Sequence, residues 1–369
     1  MSFLNKSQRK PEQNQSTDIM PSEDEVKDGA APEYRAFQPS MYSGLDVDTI
    51  VAKHINNVSK IRKYAMGGII VLGVIVLLIL LRGDIMMSAI ALIAYVVAAR
   101  STLTNQHRSL TQLWNSISTI LTMDVDPAKY LKVLDALRDQ QVVMGRGKAA
   151  AEVKEGLLLW ESICHALGGH PQEALQDIES YDAGNPTGNA RERSHAYNQL
   201  CVKLLAAASL GEKNMMDAVV EAIKKLDSKM VQHDPLCKPV ELLYAEAKVQ
   251  QAVLAHNTEE GLELVEDALG RVVTKQQYVG CIYARACMFD ELGDVEQAMS
   301  DYEYVSREGG TLEMQEKAAV RLKELEAHPA GEDVAVAGDA AALDADGAAD
   351  APAPGASTPE DQQQPVPEQ

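Results

Sequence analysis

The sequence predicts an all-α protein: a two-helix transmembrane hairpin, then an α-solenoid of paired helices, with a polar segment at each end. Three observations carry that prediction. Two apolar runs, 65–81 and 85–99, stand almost back to back, separated only by Arg82-Gly83-Asp84. From 101 to 327, Gly, Pro and Asn punctuate apolar-periodic segments of about 12–20 residues, the length of ordinary helices. The alternation of β-branched residues that marks strands is missing, and aromatics make up only 5% of the chain.

Residues 1–42 are polar and rich in Pro, Gln, Ser and Glu, with few apolar anchors, and are expected to lack fixed structure. From Ser43 the pattern changes. Val47, Val51, Ile55, Val58 and Ile61 recur at spacings of three and four behind Asp46 and Asp48, acids suited to a helix start. The segment 43–63 therefore reads as an amphipathic helix leading into the first span. It either lies on a bilayer surface with Lys53, Lys60 and Lys63 at the headgroups or forms a plain stalk.

The first span is placed at 64–81 and the second at 85–100. A hydrocarbon core takes about 20 apolar residues, with a range of roughly 17–25. The first run meets that length; the second reaches it by drawing in Thr102 and Leu103 or by local thinning. No polar side chain occurs between Met66 and Leu81, whereas a helix in a soluble core keeps a polar outer face. A start beyond residue 60 also separates this run from a signal peptide. Lys60, Arg62 and Lys63 precede the first run and Arg100, His107 and Arg108 follow the second. Cytoplasmic flanks carry such excess, so the expected topology is a cell-membrane protein with two spans and both termini cytoplasmic. Arg-Gly-Asp matches an adhesion tripeptide, but a turn this tight needs a glycine with polar neighbours in any case. Ala91, Ala94 and Ala98 are expected to form the close-packed face of the second span; Gly68 and Gly73 lack the spacing for dimerisation.

Within 101–327, the clearest internal unit is 282–306. Ala286 is followed three residues later by Phe289, then by Gly293-Asp294, and Ala298 and Tyr302 lie five and nine residues past the glycine. Weaker copies use Ser162, Ala174 and Ile178 about Gly169, and Gly261, Val265 and Ala268 about His256. A fourth, about Gly211, offers Ala218 and Ala222 with two extra turn residues. The turn points Gly169, Gly211, His256 and Gly293 are 42, 45 and 37 residues apart. Segments 105–123 and 127–141 would open the array, and 312–327 would close it as a polar cap.

This spacing resembles the tetratricopeptide repeat, a helix-turn-helix of about 34 residues. The resemblance implies a curved array whose first helices face a concave groove that binds a protein partner. Carried onto the best-matching units, the groove positions are Asn198, Glu246, Gln250, Tyr283 and Asp290. The basic cluster used by members that bind chaperone tails is not visible.

The tail, 328–369, holds nine acidic residues and no Lys or Arg; it reads as a solvated, unfolded arm. Its Ala, Gly, Asp and Pro bias fits a high-GC, bacterial genome. A net charge of −20 argues against nucleic acid as partner. Five cysteines, all in apolar helical stretches, read as buried thiols of a reducing compartment. Gly145-Arg146-Gly147-Lys148 lacks the other half of a phosphate loop and reads as an inter-helix link. Cys164, His165 and His170 are neighbours without paired metal ligands. The expectation is therefore a membrane-anchored scaffold, not an enzyme, with no cofactor and no metal, bound to the bilayer through 64–100. A helical-repeat enzyme, or an accessory subunit of a transport or secretion complex, is the alternative.

Overall fold

A computed structural model of the chain describes residues 34–83, 85–145, 147–181, 184–230 and 234–327, apart from the side chains of Lys148 and Ala149. The first 33 positions and the tail 328–369 lie outside the described residues. Thirteen helices and no strand occur among the described residues, so the protein is all-α.

α1 (Val47–Leu80) and α2 (Ile85–Thr122) form the N-terminal hairpin. Both are long and apolar enough to cross a membrane, and their most apolar windows are only 6% and 0% buried within the protein. A helix of a soluble core would hide such a surface, and these two leave theirs open. Within the hairpin, Ala65, Ile69, Leu72, Gly73 and Val76 of α1 and Ser88, Ala91, Tyr95 and Ala98 of α2 are among the less exposed positions, and the Tyr95 hydroxyl is seated over Gly73. Ala94 is exposed, not part of the predicted alanine face, because Tyr95 takes the space that the missing Gly73 side chain leaves.

α1 runs from the lead-in segment into the first span, as expected, whereas α2 continues past the expected end of the second span at residue 100. Each runs on without a break, because no Pro interrupts either. The lead-in part of α1 starts at Asp46, whose carboxylate accepts from the Thr49 N–H at 2.8 Å. Its apolar stripe does not lie on a bilayer. Ile50, Val51, His54 and Val58 are buried, and the stripe packs against the lower half of α2 and against α3 (Pro127–Arg138). Segment 105–123 is thus the lower half of the second long helix, paired with α3 as expected.

After the short α4 (Gln141–Met144), four helical pairs follow: α5 (Lys148–Leu167) with α6 (Pro171–Glu179), α7 (Ala190–Leu210) with α8 (Lys213–Asp227), α9 (Cys237–Leu254) with α10 (Thr258–Arg271), and α11 (Lys275–Leu292) with α12 (Val295–Glu308). α13 (Glu313–Ala327) packs on α12. The four predicted turn points fall between the members of the four pairs, and all four are left-handed: φ is +84° at Gly169, +67° at Gly211, +54° at His256 and +76° at Gly293. Three are glycines, which adopt this conformation without strain; His256 does so at a cost.

The turns share their hydrogen bonds as well. The residue after each turn point donates to the carbonyl five back, as in His170 to His165 (2.8 Å), Glu212 to Ala207 (3.2 Å), Asn257 to Ala252 (3.0 Å) and Asp294 to Phe289 (2.9 Å). This is the bond that closes a helix end on a left-handed residue. The fifth residue past each turn point is buried at the helix crossing: Ala174, Met216, Gly261 and Ala298. The Gly211 unit therefore needs no extra turn residues. Met216 occupies the small-residue place, while Ala218 is exposed, since Met can thread an irregular gap where the other units keep an alanine or a glycine.

The array closes on itself. One apolar core runs from Ile50, Ile117 and Tyr130 near the start to Val279, Tyr302 and Leu312 near the end. The turn before α13 sits on the turn before α3: Thr311 donates its N–H to the Val125 carbonyl (3.1 Å) and its hydroxyl to Asp126 (2.9 Å). Gly310, with φ +59°, meets the Val125 carbonyl so closely that a Cβ would overlap it. Residues 34–42, expected to lack structure, strap this junction. Tyr34 stacks on Tyr304 at 4.2 Å and donates to Asp301 (2.8 Å), Arg35 donates to the Val272 carbonyl (2.9 Å), and Ser40 bonds Asp124. Their aromatic side chains, Tyr34, Phe37 and Tyr42, supply the anchors that a composition dominated by polar residues conceals.

Candidate functional site

The first helices of the pairs turn inward and the second helices form the outer layer. Around the interior, α5, α7, α9, α11 and the start of α13 line two joined lobes of about 130 and 750 Å³. Leu204, Leu205, Glu246, Gln276 and Gln277 belong to both lobes and form the wall between them. The smaller lobe extends to Ala208, Gln250, Tyr283 and Met314, the larger to Leu121, Trp160, Tyr197 and Leu242. Among the described residues of the outer layer, Arg271, at the very end of α10, is the one that reaches in.

Three of the five predicted groove residues, Glu246, Gln250 and Tyr283, come together in the smaller lobe. Asn198 does not; its amide donates to the Tyr181 hydroxyl at 2.9 Å, toward α6. Asp290 does not either, because Arg321 of α13 holds it with two bonds of 2.6 and 2.9 Å. Both side chains fasten helices to one another. Cys201, Glu246 and Tyr283 each stand ten residues before their turn point and each lines the interior; Gln250, six before its own, lines it too, whereas Leu159, ten before Gly169, does not. Asn198 and Asp290 stand thirteen and three before theirs. Residues that the sequence did not single out, Gln276, Gln277 and the Leu204-Leu205 pair, make up most of the shared wall.

The chemistry of the lining is apolar with convergent amides. α13 does more than cap the array: Glu313, at its start, accepts from Ser209 of α7 (2.6 Å) and pairs with Lys317 (2.8 Å), which fixes one side of the smaller lobe. Burial pushes the Cys201 and Cys281 thiols up to about 12, so both stay protonated and unreactive. Burial likewise raises the Glu246 carboxyl to about 7, with a hydrogen bond from Gln277 opposing it. Glu246 Oε1 is buried with no hydrogen-bond partner.

Elsewhere, Cys164 is buried in the core, while His165 faces Asp177 at 2.8 Å with the His170 ring 6.5 Å away, and no group that could hold a metal ion occurs among the described residues. Gly145 and Gly147 both have positive φ in the link before α5, and Arg146 lies outside the described residues. No family model matches the chain, and neither a curated protein nor a solved structure matches it.

Proposed function

We propose that this protein is a membrane-anchored scaffold whose array of tetratricopeptide-type helical pairs holds a segment of a partner protein in its inner groove. The hairpin α1–α2 anchors it, with both termini on the cytoplasmic side and Arg82-Gly83-Asp84 outside. One observation carries the reading: the interior is an apolar trough lined by the first helix of each pair, with amide groups at Gln250, Gln276 and Gln277. Apolar walls with a few convergent polar groups are what a binding site requires, and amides match the donors and acceptors of a peptide backbone. The four equivalent turns support the repeat assignment. The basic residues Lys60, Arg62, Lys63, Arg100 and Arg108 at the inner ends of the spans support the orientation. Tethering such a groove to the bilayer raises the local concentration of its partner there.

Two experiments test this. Arg82→Cys should react with a membrane-impermeant maleimide in intact cells while a C-terminal tag stays protected; the reverse pattern overturns the topology. Gln250→Trp, which fills the smaller lobe, should strip the proteins that co-purify with the detergent-extracted chain while leaving its helical spectrum intact. An unchanged set of co-purifying proteins would overturn the groove.

A further inference from the structure

The wall between the two lobes carries a carboxyl group, that of Glu246, that no described cation pairs with. Asp301 and Glu161, carboxylates that are buried in the array, each face an arginine: Asp301 meets Arg285 at 2.8 Å and Glu161 meets Arg138. Glu246 is the exception. Its carboxyl is withdrawn from water, Oε1 has no partner, and Gln277 supplies its one side-chain hydrogen bond. Of the cations that reach the lobes, Lys317 is engaged by Glu313 (2.8 Å) and Arg271 by Asp267 (2.9 Å), while Lys238 lines the larger lobe two helical turns before Glu246 on α9, about 12 Å along the axis, beside Glu241. From the helices packed against it, Tyr197 and Cys201 of α7 and Cys281 of α11 face Glu246, and burial pushes all three upward, so each is neutral across the physiological range. An ionised carboxylate held away from water without a partner is costly. Burial answers that cost by raising the carboxyl to about 7, and a cation entering where both lobes meet would hold it ionised.

We infer that Glu246 anchors a lysine or arginine side chain of the polypeptide segment that enters the groove, flanked by apolar residues lying on Leu204 and Leu205; this rests on the groove reading above. A basic side chain would place its cation against Oε1 and its methylene stem along the apolar wall, as long cationic side chains do on such surfaces. Gln250, Gln276 and Gln277 are then left to the backbone of the segment. A segment with an acidic or neutral residue at that point would leave the carboxyl uncompensated, so the same feature that attracts basic segments rejects others.

The test uses the full chain in nanodiscs of a zwitterionic lipid, immobilised by its C-terminus. The probes are three seven-residue peptide libraries with Leu, Ala, Ser and Gln randomised about a fixed central lysine, Nε-acetyllysine or glutamate. At pH 8 the lysine library should be retained about tenfold over the acetyllysine library, the scale of one charge-assisted contact in a dry site. Glu246→Gln, nearly identical in shape, should remove that preference while sparing the residual apolar retention. On the unsubstituted protein, lowering the pH from 8 to 6 should reduce the preference by about tenfold, because the carboxyl titrates near 7; this arm stands even if the variant folds poorly. Equal retention of the lysine and acetyllysine libraries, with no effect of pH, would overturn the cation anchor and leave the groove standing. No retention of any library above bare nanodiscs would overturn both.

Discussion

His54 gives the sharpest energetic prediction. It sits on the lower part of α1, 1% exposed, with its ring 4.9 Å from that of Trp114 on α2. Neither ring nitrogen has a hydrogen-bond partner. Leaving such groups unsatisfied costs about 1–3 kcal/mol, and His54→Leu removes them while keeping a similar volume against Trp114. The variant should therefore be more stable than the wild type by about 1–3 kcal/mol at pH 7.5.

The pH dependence follows from the same burial. It drives the imidazole from 6.5 down to about 4, so between those values the unfolded chain binds a proton that the folded chain refuses. The contribution of a neutral His54 is complete above pH 6.5 and is lost as pH falls toward 4. Between pH 7 and pH 5 the wild type should lose about 2 kcal/mol more than His54→Leu. The assay is urea unfolding of the full chain in detergent, in a Trp160→Phe background that leaves Trp114 as the one tryptophan reporter. A less stable variant, or equal pH slopes for the two proteins, would refute the reasoning.

Two further substitutions probe the closure and the turns. Gly310→Ala forces a Cβ into the Val125 carbonyl at a left-handed position. It should cost about 3 kcal/mol or more, combining backbone strain with the loss of the Thr311 bonds, and should speed hydrogen exchange at residues 34–46 and 309–312; unchanged exchange there would mean that the array is open. His256→Gly should raise stability by about 0.5 kcal/mol, the relief of a left-handed histidine less the added freedom of glycine in the unfolded chain. The exposed His256–Glu291 pair (2.8 Å) is too solvated to reverse that sign, and a fall in melting temperature would count against the shared turn geometry.

What the sequence discloses about this fold is local. The turn points were legible because a left-handed residue needs glycine or a tolerated substitute, and the helix crossings were legible wherever a small residue marks them. Met216 escaped because a flexible side chain does the work of a small one without looking like it. The closure escaped entirely. Val125, Gly310 and Thr311 are adjacent in space and far apart in the chain, and only a glycine of unexplained position hints at the contact. The strap 34–42 was hidden by averaging three aromatic anchors into a polar segment. Of the five candidate groove positions, Glu246, Gln250 and Tyr283 line the smaller lobe, while Asn198 bonds Tyr181 and Asp290, near the end of α11, is taken by Arg321, partners far off in the chain that helix register does not reveal. Counting ten residues back from each turn would have replaced Asn198 by Cys201.

The account rests on the inner face as the place where a partner is held, and one measurement addresses that directly. A photo-crosslinking p-benzoylphenylalanine is placed either at Gln276, on the wall shared by both lobes, or at Glu263, exposed on the outer helix α10. Each variant is irradiated in native membranes as the full chain. A discrete heavier adduct from position 276, competed away by the lysine-centred library and absent from position 263, is the predicted result. Adducts of equal yield and pattern from both positions, or from 263 alone, would contradict it.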